Sequence, residues 1–362
     1  MATSPSLAQI KQAFLDTAIE ESIKIPTQAY AVGQTLRFEV PNVGIAKKFR
    51  VRFNVACTSG ATAPTGVGAK APYSLFTNAA YNDYAGISRI NSSPYGLKQL
   101  EVVKRFGWDP SYSPMAEAYA ASEVYSNTIT SLIGWFDLPV SASELDPSGS
   151  LSLEVSNGKT YLVLVCNPNL VGLTTQADTP LVGPAGATST VNAGSIVGVT
   201  YYFWQPVAVG SGVIVPTPVL YPNLIHEILE TQDSTNIAAN QDKVTTLRTG
   251  REYHRILHTF VMNGALDTAD ITNVKFLYNG NTPTMDEDLQ SYLSRTRDQY
   301  GRDFDVGQFY FNFTRRPWDS TKWGELQTVL SQGANVVGSN SYLNTLTEAF
   351  YNPKGTGTPA GG

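Results

Sequence analysis

Phe49-Arg50-Val51-Arg52-Phe53-Asn54-Val55 decides the fold class: apolar and polar residues alternate without a break over seven positions. Side chains of an extended strand point to opposite faces in turn, so Phe49, Val51, Phe53 and Val55 face a core while Arg50 and Arg52 share the outer face. Leu36-Arg37-Phe38-Glu39-Val40 repeats the pattern just upstream. Further apolar strands are predicted at Leu97–Val103, Ile129–Leu138, Leu151–Val155, Tyr161–Cys166 and Ile196–Trp204. Turn-rich stretches separate them around 58–72 and 85–96, and a long Gly/Thr/Ala/Pro connection spans 172–195. The segment Ser113 to Asn127 reads as partly helical.

Residues 205–222 carry four prolines and two glycines and mark the best domain boundary. They are too apolar for a free linker, so they are expected to lie across the surface. Past them the strand pattern starts again, at Val244–Thr249, Arg255–Met262, Asn273–Tyr278, Gln308–Phe313, Glu325–Leu330 and Tyr342–Phe350. A helix is predicted between them, with Thr284 as cap, Asp286 and Glu287 in the first turn, and Leu289, Tyr292, Leu293 and Thr296 as its stripe. Both halves are thus β-rich runs of six to eight short strands with one helix late in each. The chain divides into a helical arm over 1–29, a first β-domain over 30–207, a linker over 208–222, a second β-domain over 223–351 and a loose tail over 352–362.

The arm opens with Ser4 as cap and Pro5 at the first helical position, and Leu7, Ile10, Phe14 and Ala18 form one apolar stripe ending at Ile25-Pro26. A helix in front of a β-domain must bury that stripe on the domain's base, a neighbouring subunit or a membrane. Its acidity disfavours anionic lipid, so subunit contact is the reading adopted, with Leu7, Ile10, Phe14 and Ala18 as assembly contacts.

Charged residues make up only 15% of the chain, which lowers the desolvation cost of covering its surface with neighbours. The net charge is −5 and there is no run of Lys or Arg, so the basic field needed to bind nucleic acid directly is missing. Residues 1–25 do not read as a signal peptide, and no stretch reaches the roughly 18–20 apolar residues of a membrane-spanning helix. Cys57 and Cys166 read as buried thiols rather than a disulfide.

No constellation carries catalysis. His226 stands alone. His254 and His258 share one strand face with Ile256 and Phe260, without the acidic partner of a cupin-type metal site. Asp286, Glu287 and Asp288 read as helix-start residues rather than a glycosidase pair. The glycine-rich stretches Gly60–Gly68 and Gly183–Gly194 match no phosphate-binding loop. Phe309 to Phe313, followed by Arg315 and Arg316, alternates like a core strand rather than a base-stacking platform. No cofactor or metal is expected.

With enzymology set aside, the sequence resembles the major capsid proteins of tectiviruses, tailless double-stranded-DNA phages with a membrane beneath the protein shell, in the branch infecting Gram-positive hosts. The resemblance rests on Phe38-Glu39-Val40-Pro41-Asn42-Val43-Gly44-Ile45-Ala46-Lys47-Lys48-Phe49, on Trp135–Pro139, on Tyr201-Tyr202-Phe203-Trp204-Gln205-Pro206, and on a helix near 285–300 followed by Gly307–Phe313. It implies an all-β double jelly roll: two eight-stranded antiparallel β-sandwiches side by side, with an N-terminal amphipathic helix and short helices in loops. It also implies homotrimers of pseudo-hexagonal outline, contacts with neighbouring capsomers, with vertex and minor capsid proteins and with an internal membrane, synthesis in the host cytoplasm and residence in the virion. The alternatives are a jelly-roll carbohydrate- or receptor-binding module and a cupin-type enzyme.

Overall fold

A computed structural model describes residues 7–351 apart from 106–128, 145, 154–157, 175, 206–223, 280–281, 302, 336 and 339. The partly helical stretch expected over Ser113 to Asn127, the linker and the tail therefore lie outside the described residues.

The first sandwich is built from β1 (Ile19–Ala29), β2 (Thr35–Val40), β3 (Ile45–Ser59), β4 (Phe76–Asn82), β5 (Ser88–Ser92), β6 (Ile129–Pro139), β7 (Thr160–Cys166) and β8 (Ile196–Gln205). One layer runs β1-β8-β3-β6 and the other β2-β7-β4-β5. The second sandwich repeats this order. It contains β9 (Ile225–Asp233), β10 (Asp242–Thr246), β11 (Arg251–Met262), β12 (Ile271–Tyr278), β13 (Thr282–Asp288), β14 (Gln308–Asn312), β15 (Leu326–Gln332) and β16 (Tyr342–Tyr351). Its layers run β9-β16-β11-β14 and β10-β15-β12-β13. Each strand of the second sandwich occupies the place of the strand eight earlier. That is the jelly-roll order, used twice. Shorter strands extend these sheets, and Gly66–Val67, Val171–Leu173 and Leu181–Gly183 form a small sheet of their own.

Alternation holds where it was read. In β3, Phe49, Val51, Phe53 and Val55 are buried, whereas Arg52 and Asn54 are exposed. Several elements differ from the sequence reading: Phe76–Asn82 and Ile225–Asp233 are strands that it passes over, and Ser88–Ser92 is a strand inside the stretch read as turns. Helix α1 spans Leu7–Thr17 only, and Ile19–Ala29 is a strand paired along its length with β8. The arm is therefore not helical to residue 29. Leu97–Val103 is not a strand but lies in helix α2 (Pro94–Arg105). Ser93 caps it by accepting the Gly96 N–H at 3.0 Å, and Pro94 sits where its missing N–H costs nothing. Thr284, Asp286 and Glu287 belong to β13, and helix α3 (Leu289–Tyr300) is capped by Asp288, which accepts the Ser291 N–H at 3.0 Å.

Two apolar cores fill the sandwiches. The first gathers Phe49, Phe53, Phe76, Phe136 and Tyr201, and it runs on to Ile228, Leu257, Tyr310 and Leu346 of the second half. The second is centred on Ile256, Phe260, Phe276, Phe309 and Phe311. Tyr310 points opposite to its neighbours Phe309 and Phe311, as a strand requires.

Candidate functional site: the sandwich junction and the N-terminal helix

The two sandwiches are joined by backbone. Strand β5 pairs in parallel with β9, Ile90 opposite Ile228 and Asn91 opposite Leu229. The pair fuses β2-β7-β4-β5 and β9-β16-β11-β14 into one continuous sheet. Ile90 and Ile228 are both fully buried, so the core of the first sandwich continues onto the outer face of the second.

Polar side chains fasten the same seam. The Glu230 carboxylate of β9 accepts from the Ser93 N–H (2.6 Å), the Ser93 hydroxyl (2.8 Å) and the Ser92 hydroxyl (2.7 Å), at the N-terminal end of α2. An anion is favoured there by the free N–H groups and the helix dipole. Lys70 donates to Asp178 and to the Tyr342 hydroxyl, each at 2.6 Å, and Gln99 donates to Asp305 at 3.1 Å. Gly149 has φ +76°, and a Cβ there would lie 2.3 Å from the Cβ of His226, so the close approach of the two halves needs glycine on both counts.

At the centre stands Glu348, 2% exposed. Its carboxylate receives Lys104 of α2, Arg255 of β11 and Nε2 of His226 at 2.9 Å. The other ring nitrogen of His226 lies 3.2 Å from the Val140 carbonyl in the first sandwich. Burial alone would raise the Glu348 carboxyl, but Lys104 and Arg255 hold it well below the usual carboxylate range. Burial pulls both His226 and Lys104 downward against the attraction of Glu348. A buried anion with two cations and a histidine is costly to assemble and costly to break.

The outer face of β1-β8-β3-β6 carries a second polar array. Arg50 is held by both oxygens of Asp137 at 2.7 and 2.8 Å, and it stacks on Trp135 at 4.4 Å. Lys98 of α2 covers the same indole at 3.2 Å. Lys48 and Arg50 both lie over Tyr202.

Helix α1 docks on the first sandwich of its own chain. Phe14 is buried against Ile45 and Trp204, the two aromatic rings meeting edge-on at 5.9 Å, and Ala18 packs beside them. Lys11 pairs with Asp146 at 2.9 Å. The side chains of Leu7 and Ile10 lie outside the described residues. Of the four expected assembly contacts, Phe14 thus spends its burial inside the chain.

The histidines do not converge. His258 is fully buried, with one ring nitrogen 2.9 Å from the Thr345 hydroxyl and the other 2.8 Å from that of Thr328. His254 lies beside Glu252 at 3.2 Å, at the bulge between Tyr253 and Arg255. Among the described residues no group of three or more His, Cys, Asp or Glu is placed to hold a metal ion. Cys57 and Cys166 are free, buried thiols, each pushed up to about 11 by burial. No helix among the described residues is long and apolar enough to cross a membrane. The junction itself could not be found from sequence, because Glu348 lies 244 positions from Lys104 and 122 from His226.

Comparison with known proteins agrees with this architecture. Residues 225–356 match the family model described as P3 major capsid protein C-terminal. No sequence among the curated proteins matches the chain. Among solved structures, the STIV MCP superposes with a TM-score of 0.67 at 14% identity, over 92% of this chain and 97% of that one. PBCV-1 VP54, fitted into a reconstruction of the virophage Sputnik, gives a TM-score of 0.60 at 11% identity, over 92% and 93%. The major capsid protein P2 of bacteriophage PM2 gives 0.50 at 10% identity, over 95% and 100%. At such identities the likeness is one of fold. The chain is a double jelly roll of the kind found in viral major capsid proteins.

Proposed function

We propose that the chain is the structural major capsid protein of an icosahedral virus, assembling with copies of itself and carrying no enzymatic activity. One observation carries the reading: two sandwiches of identical strand order are locked side by side by a continuous sheet, and the second matches the P3 capsid family over residues 225–356. Such a unit presents two similar lobes, so three copies give six lobes from a three-fold symmetric particle. A hexagonal outline tiles flat facets, which gives the duplication a physical purpose. The finer reading is a tectivirus of the branch infecting Gram-positive hosts, with a membrane between coat and double-stranded DNA. The low charge and the missing basic run support it, since a coat separated from its genome needs no nucleic-acid-binding arm.

In this reading the protein is made in the host cytoplasm and ends in the virion. Its partners are neighbouring capsomers, vertex and minor capsid proteins, and the membrane on the inner side. Leu7 and Ile10 of α1 are the proposed contacts beyond the subunit, with Phe14 and Ala18 anchoring the helix on its own sandwich. Light scattering on the purified protein tests the reading. It should give three times the chain mass at all accessible dilutions, and a stable monomer would remove it.

A further inference from the structure

The junction inside the chain has a counterpart that the chain leaves open. Among the described residues, β1 pairs only with β8, and β13 only with β12, so each has one free edge. Strand β13 holds the place in the second sandwich that β5 holds in the first, and β1 holds the place of β9. Inside the chain β5 and β9 are paired. Resting on the trimer proposed above, we infer that β13 of one copy pairs in parallel with β1 of the next, with α3 settling on the outer face of that neighbour's first sandwich as α2 does on the second.

The registers fix the contact. Tyr202 lies opposite Lys48 three residues before the end of β8, and Glu348 lies opposite Arg255 three residues before the end of β16. Ser22 pairs with Tyr202 as Ile228 pairs with Glu348, so Ser22 is the counterpart of Ile228. Ile90 and Met285 each stand four residues before the first residue of the following helix, and each packs into its own core. Since Ile90 faces Ile228 within the chain, Met285 of one copy faces Ser22 of the next, and Asp286 faces Ile23.

The surfaces suit this closure. Ile19 is 53% exposed at the start of β1, and Glu21 and Lys24 are also exposed. Pro26, beside a bulge in β1, and Pro283 near the start of β13 restrict the added pairing to a few residues, so the edges do not extend without limit. Where the second sandwich buries Leu257, Tyr310 and Glu348 beneath α2, the first leaves Tyr202 half-buried and Arg52 exposed. Three such heterologous contacts close a ring in which internal and external junctions alternate.

The test is disulfide trapping in the full chain with Ser22→Cys plus Met285→Cys, and separately Ile23→Cys plus Asp286→Cys, since Met285 also serves the core. The native cysteines are buried, so each single variant is its own control. Oxidation of trimer fractions should give covalent dimers and trimers on non-reducing gels from at least one pair, and none from the single variants. Trimers that trap with neither pair would overturn the inference and leave the trimer standing. A wild-type protein that is monomeric would remove both.

Discussion

Glu348→Gln is the sharpest perturbation of the seam between the sandwiches. The amide keeps the size of the side chain and can still meet His226, but it removes the carboxylate charge paired with Lys104 and Arg255. Removing one partner of a buried ion pair costs about 3–5 kcal/mol, mostly because the other charge is stranded. Lys104 and Arg255 keep 21% and 19% side-chain exposure, so water screens part of the loss. We therefore take the lower end, about 3 kcal/mol. For a cooperative unit of 150–250 residues each kcal/mol moves the midpoint by about 2–4 °C, which places the shift at roughly 6–12 °C. Denaturant titration followed by tryptophan fluorescence reads the change from both sandwiches, through Trp135 and Trp204 in the first and Trp318 in the second. Adding Lys104→Met should restore part of the stability, with a coupling of at least about 1 kcal/mol in the double-mutant cycle. A loss under about 1 kcal/mol, or strict additivity of the two substitutions, would refute the claim that this cluster ties the halves together.

Two other outcomes follow from the same geometry. His258, pulled down to about 3 by burial, stays neutral in the folded chain while the unfolded chain takes up a proton below about 6.5. Stability should therefore fall by about 1.4 kcal/mol per pH unit from 6.5 toward 3 on account of this residue. The slope should flatten by that amount in His258→Gln, and an unchanged slope would count against a neutral buried imidazole. Deletion of residues 1–17 removes α1 and uncovers Ile45 and Trp204, and it should leave folded trimers that assemble poorly into shells. Deletion of 1–25 should instead damage the fold, because Ile19 to Ile25 pair with β8; electron microscopy of assembly reactions and circular dichroism separate the two cases.

Strands whose two faces differ in burial were legible. Phe49 to Val55 and Thr160–Cys166 alternate because one side meets a core and the other does not. Edge strands were not, and neither were the interior strands Phe76–Asn82 and Ile225–Asp233, where Thr77-Asn78 and His226-Glu227 interrupt the apolar pattern. Thr-Pro-Thr-Met-Asp-Glu-Asp in β13 is largely exposed, so no alternation marks it, and its acids read as a helix start. In β1 the isoleucines at 19, 23 and 25 continue the apolar spacing of the preceding helix closely enough to hide the change of period at residue 18. The apolar content of Leu97–Val103 suggests a strand, although Ser93-Pro94 before Leu97, Leu100 and Val103 is a cap with helical spacing behind it. The seam was beyond reach for another reason. Its partners are brought together only by the topology, and no local pattern announces that His226, Glu348 and Lys104 will meet.

The central claim is that one chain supplies two equivalent lobes, held rigidly together, to a closed ring made of copies of itself. Negative-stain class averages of the purified protein test it most directly. Six lobes of near-equal size arranged with three-fold symmetry are the predicted result. Single two-lobed particles, or rings whose halves vary in separation from particle to particle, would contradict it.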